Sequence, residues 1–301
     1  MTSFSSRLAR AWTQFWFSPA PPLNLAVARI VFAAHAFWML LSRDLAGVSG
    51  VPVEFWRAAG PTLRWRYLLF PGHSGLEHAL ELLTLVALLA AMLGVFTRAS
   101  CFLAGLLLYH LAPLETIIWT VSPYARGLTI SVLGLLVLAF SRSGECLALL
   151  PSGRRPEGPD GDFQWPVKLL QVFLAQIYFF SFYSKLVVAG WGWAAPQNMR
   201  NFLLISVEPD QVAVFHRFGY WLADHAILCL LIGIGTLLLE GAFFLVLFSQ
   251  RARQTLVPVA VAFHIGVLFS MNIFFPNVAQ LLVFVNWNGL RRGHRTVSGS
   301  S

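Results

Sequence analysis

The run Leu169-Leu-Gln-Val-Phe-Leu-Ala-Gln-Ile-Tyr-Phe-Phe-Ser-Phe-Tyr-Ser-Lys185-Leu-Val-Val188 decides how this chain folds. As an α-helix rising 1.5 Å per residue it matches the roughly 30 Å hydrocarbon core of a bilayer. It carries one ammonium, Lys185, close to its end. An ammonium costs about 2.5–3.5 kcal/mol at the centre of a membrane helix and less near an interface, so Lys185 needs a physical reason to be there. Two reasons stand open at this level: snorkelling of its long stem to the surface, or a polar site within the bundle.

Composition agrees with the run. Of 301 residues, 57% are hydrophobic and only 11% charged, against about 25% charged in soluble domains. Mean hydropathy is +0.68. Other apolar runs of similar length recur and none alternates with period two, so the expected fold is an all-α integral membrane protein. The net charge of +8 does not point to nucleic acid, because the arginines lie in short loops beside apolar runs and read as topology signals. Cys101, Cys146 and Cys229 are widely spaced and form no metal or redox motif; no metal is expected.

Residues 1–20 mix Trp12, Phe15, Trp16 and Phe17 with Arg7 and Arg10, a pattern for an interfacial helix. A bundle follows over 21–290, with spans expected at 23–42, 75–95, 99–119, 123–140, 165–188, 219–248, 254–270 and 275–288. Residues 141–164, rich in Gly, Pro and charge, read as a flexible cytoplasmic connection between two four-helix halves, and 291–301 as a disordered tail. The Trp-rich segments 44–74 and 189–218 read as amphipathic stretches at the outer interface, roofing a cavity. Eight spans put both termini on one side. Arg7, Arg10, Arg98, Arg142 and Arg154 fall on that side, which carries the excess of basic residues, so both termini are predicted cytoplasmic.

Among the ionisable groups inside or at the rim of spans, six are candidates: Arg29, Glu81, His110, Lys185, Glu240 and His264. Depth separates them. Lys185 and Glu81 are placed near the outer ends of their spans and His110 near the middle of its own, where the three can share one polar cavity. Arg29 and Glu240 are placed toward the cytoplasmic half, where a structural ion pair between the first and sixth spans would neutralise both. His264 taken alone reads as a core histidine satisfied by one donor and one acceptor.

Tyr178-Phe-Phe-Ser-Phe-Tyr-Ser-Lys185-Leu, followed by Gly190-Trp-Gly-Trp193 and Met199-Arg-Asn-Phe-Leu203, resembles the lysine segment of the vitamin K-dependent γ-glutamyl carboxylase superfamily, whose bacterial members are HTTM-domain proteins. Phe263-His264 with Ser270-Met-Asn-Ile-Phe-Phe-Pro276, then Glu240-Gly-Ala-Phe-Phe, and the opening Asn24 to Phe32 resemble further segments of that family in the same order. The resemblance implies a multi-pass protein of a bacterial inner membrane. It implies Lys185 as catalytic base with His264 or His110 assisting, and reduced vitamin K or another quinol as cofactor beside Glu81, Trp191 and Trp193. A lysine acts as a base near neutral pH only where burial disfavours its ammonium, which a membrane cavity does. The family's Asn-His pair falls here at Ser122-Pro123-Tyr124, a departure that removes one expected histidine. Carboxylase-like or oxygenase-like chemistry is the leading expectation. The rivals are a non-catalytic protein that binds or matures a secreted peptide or a partner membrane protein, and a small-solute transporter.

Overall fold

The computed structural model describes residues 4–42, 74–118, 127–151, 153, 158–205 and 216–289. Their elements are helical throughout: α1 (Phe4–Phe17), α2 (Pro22–Leu41), α3 (Ser74–Leu93), α4 (Thr97–Ile118), α5 (Gly127–Ala139), α6 (Gln164–Ala189), α7 (Pro196–Ile205), α8 (His216–Ala223), α9 (Ala226–Ala242) and α10 (Gln250–Met271). Short 3₁₀ segments occupy Gly161–Phe163, Gly190–Ala194, Phe243–Leu247 and Pro276–Phe284. Among the described residues there is no β-strand, only an isolated antiparallel bridge between Ala20 and Asp160.

Five helical stretches are long and apolar enough to cross a membrane: Pro22–Leu41, Gly75–Leu93, Gly161–Ala194, Ala226–Leu247 and Gln250–Met271. The chain is therefore an α-helical membrane protein. Two of the expected spans take a different form. The stretch 219–248 is not one helix, because α8 stops at Ala223 and α9 restarts after His225, whose extended backbone (φ −112°, ψ 92°) cannot continue a helix. The stretch 275–288 is a nine-residue 3₁₀ segment rather than an α-helix. At about 2 Å per residue it rises only about 18 Å.

The described residues divide into two compact units. The first comprises residues 1–170 and 285–301, the second residues 171–284. In the first, α2 neighbours α3, α3 neighbours α4, α4 neighbours α5, and α5 closes back onto α2. Small residues permit this closeness. A methyl group on Gly134 of α5 would enter the ring of Phe32 on α2, and one on Gly105 of α4 would press on Leu136; such contacts are what hold helices together where lipid supplies no hydrophobic drive. Buried His35 of α2 bonds Ser131 of α5 at 2.8 Å.

The described residues of 141–164, namely 141–151, 153 and 158–164, are not the flexible connection that the segment's composition suggests. Arg29, fully buried on α2, donates to the carbonyl oxygens of Ser143 (2.5 Å), Cys146 (3.4 Å) and Leu147. Leu149 and Leu150 donate backbone bonds to Leu93 and Gly94 at the end of α3. Arg142 adds Glu145 and Asp160 at 2.6 Å. These bonds tie those described residues into the first unit, and the division of the chain falls instead inside α6, between Leu170 and Gln171. Arg142 and Asp160 lie outside the spans. The Asp162 backbone N–H, then Arg142, hold the Asp160 carboxyl below its ordinary value, while Glu145 raises the Arg142 guanidinium above its own.

In the second unit, α6 runs antiparallel to α9 and the 3₁₀ turn that follows it. Tyr178 stacks on Phe243 with centroids 4.0 Å apart, Phe182 lies against Gly241, and Lys185 meets Glu240. Beyond the end of α6, Gly233 of α9 abuts the backbone of Ala194. The N-terminal part of α9 then packs with α7 and α8 around Met199, Leu203, Leu222, Ala223 and Cys229. α10 ends at Asn272, whose left-handed backbone (φ 53°) stops the helix. Exposed Phe180, Tyr183, Val187 and Val188 form the outward face of α6, where lipid replaces water as the apolar solvent. The segments 43–73, 119–126, 206–215 and 290–301, on which fall part of the stretches expected to roof a cavity, the Ser122-Pro123-Tyr124 position and the expected tail, lie outside the described residues.

Candidate functional site

Lys185 does not snorkel. Its Nζ donates to both carboxylate oxygens of Glu240, at 2.5 and 2.6 Å, and stands 4.8 Å from the centroid of Trp193. The side chains keep only 20% (Lys185) and 9% (Glu240) of their exposure. Two charges are thus removed from solvent together, which is tolerable only when they face one another with good geometry. The Trp193 face adds a cation–π contact, and the Asn198 amide fixes that tryptophan by donating to its carbonyl at 2.7 Å.

This pairing corrects the expected Arg29–Glu240 bridge. The terminal guanidinium nitrogens of Arg29 donate to carbonyl oxygens in the first unit, and Glu240 accepts from Lys185 in the second. The height assigned to Glu240 from sequence was wrong for a simple reason. Taking 219–248 as one span level with 165–188 puts Glu240 at the opposite end from Lys185, whereas α9 extends past the end of α6 to pack on α7. That offset brings Glu240 down to the level of Lys185.

Two turns before Lys185 on the same face of α6 lies Tyr178. Its hydroxyl shares a 2.8 Å hydrogen bond with His264 Nε2 on α10. The other ring nitrogen, His264 Nδ1, is buried and has no hydrogen-bond partner among the described residues. Phe263 and Phe275 flank the imidazole, with centroids 5.3 and 5.1 Å away. His264 is therefore not the fully satisfied core histidine of the bland reading; it offers one free polar point inside an aromatic wall. Sequence reading passed over Tyr178 as a site residue. Its seven-residue spacing from Lys185 was the available signal.

Of the remaining expected residues, Trp191 is 71% exposed on the 3₁₀ turn beside Trp193. His110 and Glu81 belong to the first unit, where His110 Nε2 lies 3.5 Å from buried Glu77. The second unit thus collects Lys185, Glu240, Trp193, Tyr178 and His264, a carboxylate–amine pair and a phenol–imidazole pair on adjacent levels of α6. No family model, curated protein or solved structure matches the chain.

Proposed function

We propose that the chain is a multi-pass, HTTM-like enzyme of a bacterial inner membrane, in which the Lys185–Glu240 pair performs proton transfer on a lipid-soluble or membrane-proximal substrate. The observation that carries this reading is the two-pronged Lys185–Glu240 contact at 2.5 and 2.6 Å inside an apolar helix pair. From the resting ion pair, a proton passed along this short hydrogen bond from Nζ to the carboxylate would leave a neutral amine beside a neutral acid. The amine then takes a proton from the substrate, and the pair carries the added proton with Glu240 uncharged. General-base action of this kind contributes about 10²–10⁴ in rate.

A reduced vitamin K or similar quinol fits the lining next to this pair, because buried His264 Nδ1 lacks a partner among the described residues and the rings around it are aromatic. Bound there, such a group supplies reducing electrons for chemistry with oxygen. His264 would hold its polar atom, with Tyr178 fixing the imidazole. In this reading α4, α5 and Pro276–Phe284 join the five apolar helices to complete about eight passes, with both termini cytoplasmic. The last is a 3₁₀ segment, but Pro276, Gln280, Leu281, Val283 and Phe284 are buried, and irregular backbone is tolerated at membrane depth when covered by protein.

The test is Lys185→Arg. Arginine keeps the charge and the fork for Glu240, yet it does not deprotonate in proteins. With a reduced naphthoquinone supplied to detergent-purified protein, wild type is expected to consume oxygen, and Lys185→Arg to lose this while its thermal unfolding stays unchanged. Equal consumption by the two proteins, or none by either, overturns the reading.

A further inference from the structure

A second site lies away from Lys185, where α7 meets the break between α8 and α9. Pro196, Gln197, Arg200, Ala223, Asp224 and Ala226 line a pocket of about 190 Å³. That is below the about 300–1,000 Å³ of sites for drug-sized ligands, so it suits a small polar group.

The pocket holds one cation and one anion, Arg200 from α7 and Asp224 from the α8–α9 junction. Among the described residues neither forms an ion pair, with the other or elsewhere; Gln197, by contrast, is engaged with Asn201 at 3.1 Å. Two opposite charges that face one cavity without meeting are complementary to a ligand that carries both signs on a short linker.

The level of the pocket is marked independently. Ala226 opens the apolar stretch Ala226–Leu247, and Phe202, Phe218, Tyr220 and Trp221 are exposed close by in sequence. Exposed aromatic residues at the end of an apolar helix mark the headgroup layer of a bilayer. Ile227, next in the chain, is 75% exposed and apolar, so the polar groups lie where headgroups meet acyl chains.

We propose that this pocket binds a phosphate–ammonium zwitterion, with the phosphate on Arg200 and the ammonium on Asp224. A phosphatidylethanolamine headgroup and its soluble glycerophosphoethanolamine counterpart share this chemistry. The site is independent of the proton chemistry proposed for Lys185, and its test needs no activity.

The experiment is native mass spectrometry of the full chain in detergent, titrated with phosphatidylethanolamine, phosphatidylglycerol or glycerophosphoethanolamine. Wild type is expected to retain phosphatidylethanolamine over phosphatidylglycerol. Arg200→Gln should weaken both lipids about tenfold, the scale of one charge-assisted hydrogen bond. Asp224→Asn should weaken only phosphatidylethanolamine and so reverse the preference, a ratio read within one protein and independent of its stability. Displacement of the lipid by glycerophosphoethanolamine assigns the site to the soluble source; resistance to it assigns the lipid. Equal retention of the two lipids by wild type, or an unchanged preference in Asp224→Asn, overturns the proposal.

Discussion

Neutralising one member of the Lys185–Glu240 pair strands the other in an apolar setting, and the cost can be worked from the geometry. At 2.5 Å and an effective dielectric of about 20, the gross attraction is about 7 kcal/mol. Desolvation of the two ions offsets several kcal/mol of that. Removing one partner of a buried pair costs about 3–5 kcal/mol, and the residual exposure of Lys185 places this pair at the low end, about 3 kcal/mol. Lys185→Met and Glu240→Gln should therefore each lower stability by about 3 kcal/mol, roughly a 6–12 °C fall in Tm at about 2–4 °C per kcal/mol. The double variant should lose no more than either single one, a coupling of about 3 kcal/mol. Thermal unfolding of the four proteins in one detergent measures the cycle. Additive losses, or single variants within a degree or two of wild type, would refute the reasoning.

Three further perturbations probe other parts of the structure. Gly134→Val should cost about 1–3 kcal/mol by forcing Phe32 out of its place, seen as a lower Tm, whereas Gly235→Ala, which meets nothing nearby, should stay near wild type. Tyr178→Phe should cost about 1–3 kcal/mol by leaving His264 Nε2 without its partner, and the added change His264→Phe should recover part of the loss, again read as Tm. Asp160 has a depressed carboxyl pKa, so its contribution is present above its unfolded pKa and fades as pH falls through the folded value; Asp160→Asn should be less stable than wild type at pH 6, with the difference shrinking as pH falls below the ordinary carboxylate range in a Tm-against-pH series.

The apolar runs made several of the membrane-length helices legible. Pro22 and the uninterrupted stretch after it start α2 within a residue of the expected boundary, and the run holding Lys185 is helical as a whole. Hydropathy measures composition and not hydrogen-bond pattern, so it could not distinguish a 3₁₀ segment at 276–284 from an α-helix, nor see the break at Asp224–His225. The partner of Lys185 was hidden for another reason. Which charge meets which depends on the relative height of neighbouring helices, and the overhang of α9 past α6 is a packing outcome of Gly233 on Ala194 that no linear reading supplies. Likewise, the carbonyl groups that accept from the Arg29 terminal nitrogens belong to a loop whose sequence looks like a tether. Backbone acceptors leave no trace in residue type.

The contact between Lys185 Nζ and the Glu240 carboxylate is the centre of this account. Magic-angle-spinning NMR of protein labelled with ¹⁵N at lysine Nζ and ¹³C at glutamate Cδ, reconstituted in lipid, measures it directly. Lys168 is the only other lysine in the sequence, so Lys185→Arg assigns the signal. A strong one-site nitrogen–carbon dipolar coupling that disappears in both Lys185→Arg and Glu240→Gln is the predicted result; the absence of any such coupling in wild type, or its survival in either variant, would contradict it.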